Sequence, residues 1–151
     1  MPRVVSFVFL VLCGQCSTFA ELQPAKIFSD HMVLQREAAV PLWGRADAEA
    51  SVTVAFAEQS VATKADGIGR WKVELAPMKA SATGRLLEIS SGDERVTIQD
   101  VLVGDVWFAG GQSNMDYKVK GMASRLPEGR ALADAANYPA IRHRKVNERN
   151  A

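Results

Sequence analysis

Ser113 is the residue whose surroundings most suggest chemistry. It follows an apolar run, Val101–Ala109, and two glycines, Gly110 and Gly111, and it is flanked by Gln112 and Asn114. A serine displayed on a tight turn at the carboxyl edge of a buried strand can attack a carbonyl carbon. Amides at the start of a following helical turn would then face the oxyanion. That geometry favours acyl transfer. The pattern alone is weak, because a serine beside asparagine is more often a turn or helix-cap residue. Gln112 and Asn114 could position substrate hydroxyls or satisfy loop backbone groups, and the glycines would let substrate approach the main chain.

Serine chemistry needs a base within roughly 2.6–3.2 Å of its hydroxyl, and the sequence holds two histidines. His143 lies between Arg142 and Arg144 in an expected strand, where an exposed edge position is the simpler reading. His31 sits in a Ser29-Asp30-His31-Met32 turn, and adjacent residues such as Asp30 and His31 rarely orient one another. Asp105 could hold amides of the turn or stand solvated at a strand kink. Trp43, Trp71 and Trp107 are conceivable sugar platforms, but their strand periodicity and apolar neighbours favour core packing.

The elements that would position these groups fall into two regions. Residues 21–100 carry short alternating runs. Ser51–Phe56 and Trp71–Leu75 place apolar side chains at every second position. Gln59–Lys64 is expected to form a hairpin with Trp71–Leu75 through Asp66-Gly67-Ile68-Gly69, and Arg85–Ser90 a second one with Glu94–Ile98 through Ser91-Gly92-Asp93. Evenly spaced strands of this kind predict an antiparallel β-sandwich. Residues 101–151 follow a different pattern. Val101–Ala109 suits a strand covered on both faces, Gly129–Ala136 a helix opened by Pro127 and stopped at Asn137-Tyr138-Pro139, and Ile141–Val146 a returning strand. Together they outline the opening β-α-β unit of a parallel α/β sheet. Apolar surface in this second region is expected to be left exposed, while the β-rich region stands alone.

Residues 1–20 read as an export signal: Arg3, an apolar run from Val4 to Leu12, and small side chains at Thr18 and Ala20. The run is about half the roughly 20 apolar residues a bilayer span needs, so no stable membrane anchor is expected. Leu12 before Cys13 and Gln15 before Cys16 do not suit a lipoprotein anchor. Cleavage after Ala20 predicts a secreted or periplasmic chain without cysteine, hence without disulfides or thiolate metal sites. Lys and Arg total 18 against 17 Asp and Glu, a net charge of +1, and no global field recruits nucleic acid. The basic stretch Arg142–Arg149 lacks the interleaved aromatics of a nucleic-acid platform.

Three blocks carry a family resemblance: Pro24–Arg36 with its Phe28-Ser29-Asp30-His31-Met32-Val33-Leu34-Gln35 core, Val40-Pro41-Leu42-Trp43-Gly44, and Val103–Met115 ending Gly110-Gly111-Gln112-Ser113-Asn114-Met115. In this order they resemble the secreted sialate O-acetylesterases, carbohydrate esterases of the SGNH-hydrolase superfamily. The resemblance implies a β-rich N-terminal region before a flavodoxin-like α/β catalytic domain, Ser113 as nucleophile, and oxyanion or substrate contacts from Gly111, Gln112 and Asn114. It further implies an O-acetylated sugar as substrate and no metal or organic cofactor. These enzymes carry an Asp-x-x-His base pair downstream of the serine. No Asp-x-x-His occurs in these 151 residues, so the chain taken by itself is expected to be an inactive N-terminal portion. The alternative is an exported β-sandwich that binds glycans or acts as a scaffold without hydrolysing anything.

Overall fold

In the computed structural model, the residues described are 21–111, 118, 121, 123, 125, 126 and 128–145. The elements given by the described residues are β1 Gln23–Pro24, β2 Val33–Gln35, β3 Val40–Arg45, β4 Ser51–Phe56, β5 Gln59–Lys64, β6 Arg70–Leu75, β7 Ser81–Ser91, β8 Glu94–Gly104 and a short helix, α1 Gly129–Ala135. They form a three-stranded sheet, β1-β3-β6, and a five-stranded sheet, β2-β8-β7-β4-β5. Alternation decides which side chains meet. Leu42 of β3 and Trp71, Val73 and Leu75 of β6 share one buried cluster with Val52, Val54 and Phe56 of β4, Leu87 and Ile89 of β7, and Ile98, Val101 and Val103 of β8. Burying such side chains, each worth about 1.5–3 kcal/mol, holds the two sheets together.

The second expected hairpin is present and longer than its sequence signal: β7 and β8 pair antiparallel from Ser91↔Glu94 through Leu87↔Ile98. Gly92 takes φ of 56° in its turn. The first expected hairpin is not formed. β5 pairs with β4 from Phe56↔Gln59 to Ser51↔Lys64, whereas β6 pairs with β3 in the other sheet. The Asp66–Gly69 turn therefore carries the chain from one sheet to the other. Asp66 caps that crossing, accepting the Ile68 and Arg70 N–H groups at 3.0 and 2.8 Å. The β4–β5 reversal runs through Ala57 at φ 54°, a position where glycine or asparagine would have announced the turn.

Two further expectations are corrected. The sheets are not wholly antiparallel, because β2 runs parallel to β8 at Val33↔Leu102, Leu34↔Val103 and Gln35↔Gly104. The apolar run Val101–Ala109 is not one buried strand. Val101, Leu102 and Val103 are buried as the continuation of β8, which runs through Asp100 with a register shift against β7 and a φ of 53° there, but Val106, Trp107 and Phe108 lie outside any strand and are 54%, 87% and 96% exposed. Beyond Gly104 the sheet supplies no further partner, since β2 ends at Gln35. Helix α1 lies where its Ala-rich sequence predicts. Residues 141–145 form no strand, and Val146 lies outside the described residues. The β-α-β unit is thus represented, among the described residues, by its helix alone.

Arginines, not a ladder, hold the 141–145 segment. Arg142 donates from Nη2 to Asp100 Oδ2 at 2.9 Å and from Nη1 to the Asp100 carbonyl. Arg144 reaches Ser29 Oγ at 2.8 Å and the Lys26 carbonyl at 2.7 Å. Asp100 also pairs with His31 Nδ1 at 2.7 Å. These hydrogen bonds, His31 first and Arg142 second, hold the Asp100 carboxyl below the usual carboxylate range. A depressed carboxyl contributes above its unfolded pKa, and the contribution is lost as pH falls through the folded value, so the clasp opens only in acid. Asp100→Asn is expected to release the segment at neutral pH. Trypsin should then cut after Arg142 and Arg144 several-fold faster, while cleavage after the exposed Arg125 and Arg130 keeps its rate. Equal rates at Arg142 in parent and variant would remove the clasp.

Candidate active site

The described residues bring the chain to Gly111, two residues before Ser113. At the end of β8, the Arg36 N–H donates to the Gly104 carbonyl at 2.9 Å, and the Val106 N–H donates to Gln35 Oε1 at 2.9 Å. Gln35 Nε2 in turn donates to the Arg36 carbonyl at 3.1 Å. Arg36 Nε donates to Asp105 Oδ1 at 2.9 Å. Asp105 therefore serves as the partner of Arg36, the residue that follows β2. The Asp105 carboxylate holds the Arg36 guanidinium above its ordinary pKa, by hydrogen bond first and charge second. Both side chains are partly solvated, so the pair fixes direction more than it adds stability.

Past this anchor, Trp107 and Phe108 project into solvent and Gly111 is exposed. Ser113, Gln112 and Asn114 lie outside the described residues. His31 adopts φ of 63° and engages Asp100, not its neighbour Asp30, whose Oδ1 accepts the Gln99 N–H at 2.7 Å. His143 is exposed between the two clasp arginines. Among the described residues, no group of three or more His, Cys, Asp or Glu could hold a metal ion, and no helix is long and apolar enough to cross a membrane.

The tryptophans divide. Trp71 is 2% exposed and packs in the core as expected. Trp107 does not, for the reason given above. Trp43 does not either: its partner across the ladder is Lys72, on the outer face of the three-stranded sheet, and Phe28 meets its ring edge-on at 4.8 Å. Sequence reasoning also passed over Gln35, Arg36 and Asp100, whose partners Val106, Asp105, His31 and Arg142 lie 42 to 71 positions away in the chain.

No protein-family model matches the chain. Among solved structures it is similar to a carbohydrate acetylesterase from Xanthomonas citri, with a TM-score of 0.70 and 33% sequence identity over 78% of this chain and 26% of that one. The likeness in sequence is narrower in name. The sialate O-acetylesterases of Rattus norvegicus and Mus musculus are 29% and 30% identical over 153 aligned residues, 93% of this chain in each case, and that of Homo sapiens is 29% identical over 88% of it. The chain thus resembles sialate O-acetylesterases over most of its own length, in agreement with the three sequence blocks. It spans about 28% of the length of the rat and mouse relatives.

Proposed function

We propose that this chain carries the nucleophile-bearing part of a carbohydrate O-acetylesterase, exported by way of residues 1–20 and acting on acetyl esters of sialic acid or a related sugar. The likeness to sialate O-acetylesterases across 93% of the chain is the observation that carries this reading, because it takes in the Gly110–Met115 block. In the proposed reaction, Ser113 Oγ attacks the acetyl carbonyl carbon while an imidazole takes its proton. The sugar hydroxyl leaves with that proton, and water then cleaves the acyl-serine to acetate. The Ser113 N–H and neighbouring amides at Gly111 and Gln112 face the oxyanion, and Asn114 orients the sugar. The family resemblance implies that this imidazole belongs to an Asp-x-x-His pair, a pattern that these 151 residues do not contain.

The test joins residues 21–151 to the remaining catalytic sequence of the rat relative and measures acetate release from an O-acetylated sialic acid. Ser113→Ala is expected to lower kcat by about 10⁴–10⁶-fold and to abolish labelling of Ser113 by a fluorophosphonate. Hydrolysis that survives the substitution, or a folded fusion with no hydrolysis, sinks the proposal. The second of these outcomes would favour a non-hydrolytic binding module.

A further inference from the structure

A groove along β1, β3 and β6 is used by nothing in the esterase scheme. It has a volume of about 420 Å³, and its walls include Lys26, Trp43, Arg45, Arg70 and Trp71. No lining residue comes from β8 or from the segment leading to Ser113. Strand geometry gathers these side chains. Gln23↔Arg45 and Arg45↔Arg70 are direct cross-strand pairs, so Arg45 and Arg70 lie side by side on the face that Trp43, two residues before Arg45, also occupies. Gly44, facing the other way, lets the edge of Trp71 come up close beneath the strand.

The charge on this face is unbalanced. Arg70 is already engaged by Asp66 at 2.9 Å, and Lys72 by Glu74 at 3.0 Å. Lys26 and Arg45 have no acidic partner among the described residues, and both are exposed. A tryptophan 42% exposed and in T-shaped contact with Phe28, with an arginine and a lysine in the walls of the same groove, matches one ligand chemistry well. The apolar C–H face of a pyranose ring lies on an indole, and a carboxylate on that ring takes a forked pair of hydrogen bonds from arginine.

We propose that this groove is a binding site for a carboxylated saccharide, with the sugar ring on Trp43 and its carboxylate between Arg45 and Lys26. The inference does not depend on the esterase reading. It would hold an acidic glycan chain to the protein whether or not a residue of that chain is being deacetylated.

The experiment is an NMR titration of the full chain with free sialic acid and with glucuronic acid, following the Trp43 indole and Arg45 side-chain resonances, with galactose and sodium sulfate as comparisons. Both acids are expected to shift these signals saturably, and galactose to bind about ten-fold more weakly or less. Arg45→Gln and Lys26→Gln, surface changes that leave the core intact, should each weaken sialic acid about ten-fold. Trp43→Ala should remove the sugar's advantage over sulfate, its fold being checked by thermal melting. Ser113→Ala should leave binding unchanged. Galactose binding as tightly as the acids, sulfate competing fully with an unaltered Trp43→Ala response, or no shift at Trp43 would each overturn the site. Loss of binding in Ser113→Ala would move the sugar to the serine turn, overturning this inference while leaving the esterase proposal standing.

Discussion

Trp71→Ala is expected to lower stability by about 3–5 kcal/mol, the range for emptying a buried aromatic site. Trp71 is 2% exposed and lies among Leu42, Val73 and Leu75 of its own sheet and the inward side chains of the other. The cavity left behind opens where the sheets meet, and the backbone on either side is held by the β3–β6 ladder, so collapse can recover little. Trp71→Phe separates packing from polarity. The indole Nε1 is buried without an acceptor among the described residues, and a donor left in that state costs about 1–3 kcal/mol. Phenylalanine fills most of the volume and has no such donor. It is expected to fall within about 1.5 kcal/mol of the parent. Urea denaturation of both variants, with unchanged slopes, decides the matter. A Phe variant as unstable as the Ala variant would mean that the indole N–H is satisfied and useful.

The same residue shows what the sequence conveyed and where it misled. Period-two alternation in Trp71-Lys72-Val73-Glu74-Leu75 identified a strand and its inner face, and the burial pattern follows it residue by residue. The partner of that strand was not legible. Asp66–Gly69 has the composition of a hairpin turn, but in this fold it spans two sheets, and ladder partners are chosen by which apolar faces close the core. Val40–Arg45 alternates in burial, but Val40-Pro41-Leu42-Trp43 is apolar without interruption, so the sequence pattern did not place Trp43 on the outer face beside Pro41 and Arg45. Val101–Ala109 failed for a different reason. Hydrophobicity predicts a covered strand only where partners exist, and the Val106–Phe108 portion has none among the described residues. Of the candidate site, the approach was legible as a strand ending in glycines, whereas the Arg36–Asp105 pair and the Gln35 contact to Val106 depend on a parallel neighbour that local sequence does not name.

Gly44→Ala is expected to detach β1. A Cβ at this position would lie 2.3 Å from the Gln23 carbonyl oxygen, 2.8 Å from Pro24 Cα and 2.8 Å from Trp71 Cζ2. Two of the three obstacles are backbone atoms, which no rotamer change can move aside. The weaker side of the contact must yield, and that is β1. It is two residues long and contains a proline, and it is an edge strand of the sheet. What is lost with it includes the burial of Leu22, now 3% exposed and tied by its N–H to Glu94 Oε2 at 2.7 Å, and the Ala25 N–H bond to the Trp43 carbonyl. The expected cost is about 2–3 kcal/mol, set by the docking of one leucine and its neighbours and not by the full severity of the clash. Gly92→Ala provides the control. Its φ is 56°, yet no atom lies within 4 Å of the added carbon, so only the left-handed conformation is penalised, by about 1–2 kcal/mol, and Gly92→Asn recovers most of it. No such recovery is open at Gly44, because every larger residue meets the same carbonyl. Hydrogen exchange would show the difference directly. The Ala25 amide should lose protection in Gly44→Ala while the β7–β8 ladder keeps its own, and retention of Ala25 protection would mean that β1 is held by something other than its close approach to Gly44. Because Gln23, Pro24 and Ala25 also line the groove beside Trp43, the same substitution should remove carboxylated-sugar binding there without touching Arg45 or Lys26.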